Sequence, residues 1–190
     1  MLLQGLHDEA NHDVWTHFDR RYRPIVMAFA RRLGLNDADA ADVAQETMTR
    51  FLEEYRAGKY DRQRGRLRSW IISLARTRVA QVYRRRDRNR EVEGVTAAVD
   101  LDDEQHLTQI WEDERRSVLL REAMQQLRET TKTDDKTIRA FELLVFNQLA
   151  PADVARQLAI TPQDVYRAKN RVAQRLQGIL SRLEEAYDDQ

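Results

Sequence analysis

Apolar residues recur at helical spacing along most of the chain. Val14, Trp15, Phe18, Tyr22, Ile25, Val26, Phe29 and Leu33 follow steps of one, three and four, which predicts an amphipathic helix that Gly34 ends. Asn36 and Asp37 are caps for a second helix whose buried stripe is Ala40, Val43, Ala44, Thr47, Met48, Phe51 and Leu52. Its other face carries Asp39, Asp42, Gln45 and Glu46. Residues 56–66 hold two glycines and no apolar period, so they read as a loop. A third helix follows on Leu67, Trp70, Ile71, Leu74, Ala75, Val79 and Val82, with Arg68, Arg76, Arg78, Arg84, Arg85 and Arg86 projecting elsewhere.

The pattern dissolves from Asp87 to about Gln105, a stretch too polar to bury a core of its own. Apolar positions resume at Leu107, Ile110 and Trp111, run through Val118, Leu119, Leu120, Met124 and Leu127, and pause at the polar run 129–136. The expected division is an N-terminal extension over 1–13, a helical domain over 14–88, a linker over 89–106, a second helical domain over 107–183 and an acidic tail over 184–190. With only 6 Gly and 3 Pro in 190 residues, the fold class is all-α, two small helical domains joined by an acidic flexible linker.

Charge changes this picture more than composition does. The formal net charge is zero, yet the side chains segregate strongly along the chain. Counted by block, residues 1–55 carry −4, residues 56–90 carry +11, residues 91–116 carry −7, residues 151–183 carry +4 and the last seven carry −4. Binding depends on such clusters over about a Debye length, ~8 Å in physiological salt, so two basic patches on either side of an acidic connector point to a polyanionic partner.

Pro151 to Leu176 gives the most specific local signal. It divides into a short helix, a tight turn over Ala159 to Thr161 and a longer helix, the spacing of a helix-turn-helix. Val154, Leu158, Ile160 and Val165 supply its small core, Ala155 permits a close crossing, and Thr161 followed by Pro162 is a strong helix start. Ala159 stands where the turn favours glycine, which predicts slight strain. Gln163, Tyr166, Arg167, Lys169, Asn170 and Arg171 then decorate exposed faces with base-edge readers and phosphate binders.

Other chemistry finds little support. The chain has no cysteine and only four histidines, and His7, His12 and His17 are spaced so that no helix face holds them together; neither a metal nor a cofactor is expected. There is no Gly-rich phosphate loop or nucleophile elbow, so no enzyme activity is expected. A mean hydropathy of −0.74, with no membrane-length apolar run and no basic, apolar start, predicts a cytoplasmic protein with no membrane partner.

Three segments together resemble an extracytoplasmic-function (group 4) sigma factor of the bacterial sigma-70 family, the minimal kind with regions 2 and 4 only. DADAADVAQETMTRFLE (Asp37 to Glu53) is similar to that family's polymerase-binding helix, GRLRSWIISLARTRVAQVYRRRDR (Gly65 to Arg88) to its promoter-melting and minus-10 helix, and LAITPQDVYRAKNRVAQRL to its minus-35 reader. The resemblance implies a region 2 bundle and a region 4 helix-turn-helix domain. By the same resemblance Asp39, Asp42, Gln45 and Glu46 face the largest subunit of core RNA polymerase. Lys59, Tyr60, Arg68, Arg76, Arg78, Arg84, Arg85 and Arg86 serve the minus-10 element, with Tyr60 available to stack on an unpaired base.

Gln163, Tyr166, Arg167, Lys169, Asn170 and Arg171 would then serve the minus-35 element. The run Phe141, Leu143, Leu144, Val145, Phe146 and Leu149 exceeds one helix stripe; part of it is a candidate contact for the second-largest subunit, the remainder ordinary core. An anti-sigma factor is a further candidate partner beside core polymerase and promoter DNA. Trp70 lies on the apolar stripe and is expected in the core, while Tyr83 is undecided. Two other readings stay open: a helix-turn-helix regulator of duplex DNA, and a polymerase-binding adaptor that reads no promoter.

Overall fold

The computed structural model describes residues 5–6, 12–61, 63, 65–89, 101–130 and 133–188. They form α1 (His12–Arg32), α2 (Asp37–Arg56), α3 (Leu67–Asn89), α4 (Glu104–Thr130), α5 (Asp135–Val145), α6 (Pro151–Leu158) and α7 (Pro162–Asp188). No strand occurs among the described residues, and the fold class is all-α. The chain divides into two compact units, Met1–Val118 and Leu119–Asp189.

In the first unit α1 packs on α2 and α2 on α3. The stripes read from the sequence meet there: Phe18, Ile25, Val26, Phe29, Ala40, Met48, Phe51, Ile71, Ala75 and Val79 are all fully buried. Phe18 and Phe51 stack with ring centroids 4.6 Å apart, and such pairs add about 0.5–1.5 kcal/mol beyond the burial of their area. Thr47 sits in the same stripe with its hydroxyl unpaired and out of contact with solvent.

Gly34 ends α1 in a left-handed conformation, φ 94°. The Gly34 N–H bonds the Arg31 carbonyl and the Leu35 N–H reaches back to the Ala30 carbonyl, the paired closure of a Schellman motif. No other residue fits, because a Cβ at Gly34 would lie 2.8 Å from the Tyr83 hydroxyl oxygen. That hydroxyl donates to the Leu33 carbonyl at 2.5 Å and so ties α3 to the α1–α2 turn. Tyr83 is thus a structural clamp, and burial pushes its phenol above its ordinary value.

Two segments expected to lie outside the first domain pack within it. Leu6 is buried, and its carbonyl accepts a hydrogen bond from Arg56 Nε at 3.1 Å. Leu107, Ile110 and Trp111, read as the start of the second domain, belong to the first unit, where Trp111 meets Phe29 edge to face at 5.8 Å. α4 begins at Glu104 after Asp103, whose carboxylate caps the His106 N–H at 2.9 Å. The helix gives its residues up to Val118 to the first unit and those from Leu119 to the second. Of the expected linker only residues 101–106 and α3's last residue, 89, are described; residues 90–100 and His7 lie outside the described residues.

In the second unit Ala123, Met124, Leu127, Ile138, Phe141, Val172, Leu176 and Ile179 form one core, and Ala140, Leu143, Val154, Ala155, Val165 and Ala168 another. α6 and α7 flank the turn at Ala159, which adopts φ 50° and ψ 55°. An alanine in that region costs roughly 1–2 kcal/mol, the strain foreseen for this position. α7 continues through the expected acidic tail as far as Asp188.

Candidate nucleic-acid interface

The α1–α2 corner fixes the start of the acidic stripe. Asn36 caps α2 by accepting the Asp39 N–H on its side-chain oxygen at 2.9 Å. Steps of three, three and one then set Asp39, Asp42, Gln45 and Glu46 along one side of the helix. Of these four, Asp42 alone stands exposed with no ion pair or hydrogen bond among the described residues. Asp39 is ion-paired with Arg86 of α3, Gln45 accepts from Arg23 of α1, and Glu46 lies 3.5 Å from Arg78 of α3.

The residues expected to serve two different partners therefore meet each other. α2 and α3 pack side by side, so the acids of one and the arginines of the other share a seam. Arg68 is likewise engaged: its guanidinium holds Glu112 of α4 at 2.6 Å, and that carboxylate also takes Arg115 at 3.4 Å. Arg84 donates to the Ala80 carbonyl of its own helix, Arg85 is exposed, and Arg76 is half-buried. Among the arginines expected at the minus-10 element, Arg76, Arg84 and Arg85 have no ion-pair partner among the described residues.

The basic loop builds a cavity. Lys59, Tyr60, Asp61, Gly65, Arg66, Ser69 and Trp70 line a space of about 220 Å³ at the head of α3. Trp70, expected in the core, is half-buried instead and sits between two rings. One neighbour is Phe51 at 5.1 Å, the other Tyr60 at 5.3 Å and nearly parallel, 9° between planes. The departure has a positional cause: Trp70 lies in the first turn of α3, where the stripe runs out beneath the loop. Lys59 stands exposed beside it, 3.7 Å from Glu54. The cavity thus offers a stacked aromatic pair, a cation and a carboxylate, a set suited to one planar ring with polar edges.

The second unit presents its candidates on one helix. Gln163, Tyr166, Arg167, Asn170 and Arg171 follow steps of three, one, three and one, and all are exposed on the side of α7 opposite Val165, Ala168 and Val172. Lys169, also exposed, is rotated by about 100° from Asn170 toward the flank of the buried stripe. Thr161 and Asp164 form a capping box in which the Thr161 hydroxyl oxygen accepts the Asp164 N–H at 3.1 Å and the carboxylate accepts the Thr161 N–H at 3.3 Å. The Thr161 hydroxyl also donates to that carboxylate at 2.6 Å, and these bonds hold the Asp164 carboxyl below its ordinary value. Asp164 further lies 3.4 Å from Arg167 and so restrains it.

In the apolar run before the motif, Phe141 and Leu143 are core, Leu144 and Leu149 half-buried, and only Val145 and Phe146 exposed. The partners Arg23, Glu112 and Tyr83 carried no signal in the sequence that could have found them, since each acts across 22 to 50 residues of chain. No cluster among the described residues has the carboxylates or histidines to hold a metal ion, and no described helix is long and apolar enough to cross a membrane.

The first unit thus sets an acidic stripe on α2 against the basic α3 and places an aromatic cavity at the head of α3. Residues 18–89 match the family described as sigma-70 region 2. The chain thus carries a segment that matches sigma-70 region 2, and this match supports a role in promoter recognition and polymerase binding. Among curated proteins none matches the chain.

Proposed function

We propose that the chain is a sigma factor of the extracytoplasmic-function (group 4) kind, working in the cytoplasm without catalytic chemistry of its own. It binds core RNA polymerase through the α2 stripe, chiefly Asp42 and Glu46, and directs promoter recognition, strand melting and initiation. The observation that carries this reading is the region 2 match over 18–89, which coincides with the seam and cavity described above.

Lys59 and the α3 arginines neutralise phosphates of the separated strand, and Tyr60 with Trp70 offers a stacking surface to an unpaired base. In the second unit α7 enters the major groove of the upstream element. Arg167 and Gln163 read base edges there, while Arg171 and Lys169 supply affinity. Val145 and Phe146 form the apolar contact for the second-largest subunit. An anti-sigma factor would compete for the same α2 stripe.

Copurification with core polymerase followed by promoter-dependent run-off transcription tests this. Asp42→Arg should lose polymerase in competition with the unaltered chain and keep its melting temperature, because an exposed unpaired acid contributes little to stability while its reversal repels a basic surface. Equal affinity of the two chains for core polymerase would refute the docking role. Binding to duplex DNA without any effect on transcript starts would favour the regulator reading.

A further inference from the structure

A cavity of about 410 Å³ lies in the second unit, lined by no residue that the function proposed above uses and within the size range of small-molecule sites. Its floor is aliphatic. Ile138 is buried in one core of the unit, and Leu158 packs half-buried against the other. Its rim is charged. Arg128, near the end of α4, is ion-paired with Glu142 of α5, and Arg139 lies 3.7 Å from the same carboxylate. Two guanidiniums thus share one acid, each with about half of its side chain exposed, and a positive charge is left in excess. Lys136 stands exposed three residues before Arg139 with no ion-pair partner among the described residues, and Asp135 beside it is the remaining acid of the rim.

This set selects among anions. Inorganic phosphate would use the three cations but leave the aliphatic floor bare and meet two carboxylates with little to donate to them. A mononucleotide satisfies every part. Its phosphate suits Lys136, Arg139 and the shared Arg128, its ribose hydroxyls and exocyclic amines are donors for Asp135 and Glu142, and its base has a flat face to lay on Ile138 and Leu158.

We infer that this cavity is a mononucleotide site whose occupancy steadies the turn that aims α7. Leu158 is the last residue of α6 and precedes Ala159, the alanine held at φ 50°. A ligand resting on Leu158 fixes the end of α6 and with it the start of α7. This consequence rests on the reading of α7 as the helix that enters the upstream element: a pre-organised α7 binds duplex more tightly, and by linkage duplex tightens the nucleotide to the same degree.

The test uses the full chain, with AMP, adenosine and inorganic phosphate titrated separately by calorimetry and a randomised duplex pool as the second ligand. AMP should bind about tenfold more tightly than adenosine or phosphate, since each of those fills half of the site. Lys136→Gln and Arg139→Gln should each weaken AMP about threefold to fivefold, the scale of an exposed charge contact. Arg156→Gln is the matched control, because Arg156 is an exposed arginine of α6 outside the cavity, and it should leave AMP affinity unchanged. Saturating AMP should tighten duplex binding about twofold, and Lys136→Gln should remove most of that gain at the same AMP concentration.

Absence of AMP binding at millimolar concentration, or an equal loss in Arg156→Gln, overturns the site. If Lys136→Gln and Arg139→Gln weaken duplex binding without AMP present, these cations serve the DNA backbone and the nucleotide assignment falls. AMP that binds and leaves duplex affinity unchanged overturns the link to α7. A chain that binds AMP and no duplex overturns the reading of α7 and leaves the site in place.

Discussion

The two units present their charges in opposite ways. In the first, candidate binding residues on α2 and α3 are cross-paired, Asp39 with Arg86 and Glu46 with Arg78, and Arg68 is held by Glu112. In the second, the candidates all project from α7, and the one ion pair that restrains them among the described residues is the 3.4 Å contact of Arg167 with Asp164. A surface made between helices shares its charges, so substitutions there should be non-additive. A surface made by one helix face holds residues that act nearly alone, and their effects should sum.

The largest effect we expect tests where the first unit ends. Trp111→Ala should cost roughly 3–5 kcal/mol, because a fully buried indole is removed from beside Phe29. The loss should fall on the first unit: amide exchange should accelerate in α1 and leave α6 unchanged. Acceleration confined to α5–α7 would place Trp111 with the second unit.

Next in size are the readers on α7. Arg167→Ala should cost about 1–3 kcal/mol on the preferred upstream element and relax the choice at one base position, whereas Arg171→Ala should weaken all sequences alike. Binding selections on randomised duplexes read both, and their combination should be additive if the contrast between the units holds. If Arg167→Ala keeps every base preference, the reading role belongs elsewhere.

A smaller effect, of opposite sign, concerns the turn that aims α7. Ala159→Gly should stabilise the chain by up to about 1 kcal/mol by relieving the left-handed alanine, less the added flexibility of glycine in the unfolded chain. Thermal unfolding at neutral pH measures it, and a loss of stability would show that the turn is unstrained.

The smallest effect is set by acid. The Asp164 carboxyl is held below its ordinary value of 3.8 by the Thr161 bonds, so its stabilising contribution is complete above that value and is lost as pH falls through the lowered one. Asp164→Asn should flatten this acid limb. An identical limb in both chains would assign it to other carboxylates.

How far the sequence reached follows from the same contrast. Helical stripes survive in sequence because burial repeats every 3.6 residues, and the capped start of α2, the Gly34 stop and the α6–α7 turn were all legible from local chemistry. The reach of the first unit was not. The stripe from Leu107 to Leu127 is one uninterrupted helix, and periodicity says that a face is buried without saying in which core. Nor were the ion pairs across the seam, since they depend on the register between α2 and α3, which no spacing within either helix encodes. The α7 face was legible residue by residue because a single helix makes it.

The most direct test of the central claim is to mix the purified chain with core polymerase and a fragmented bacterial genome and to map the transcript starts. The sigma-factor account predicts a discrete set of starts that share upstream elements, appear only with the chain present and vanish with Asp42→Arg. Starts identical with and without the chain would contradict it.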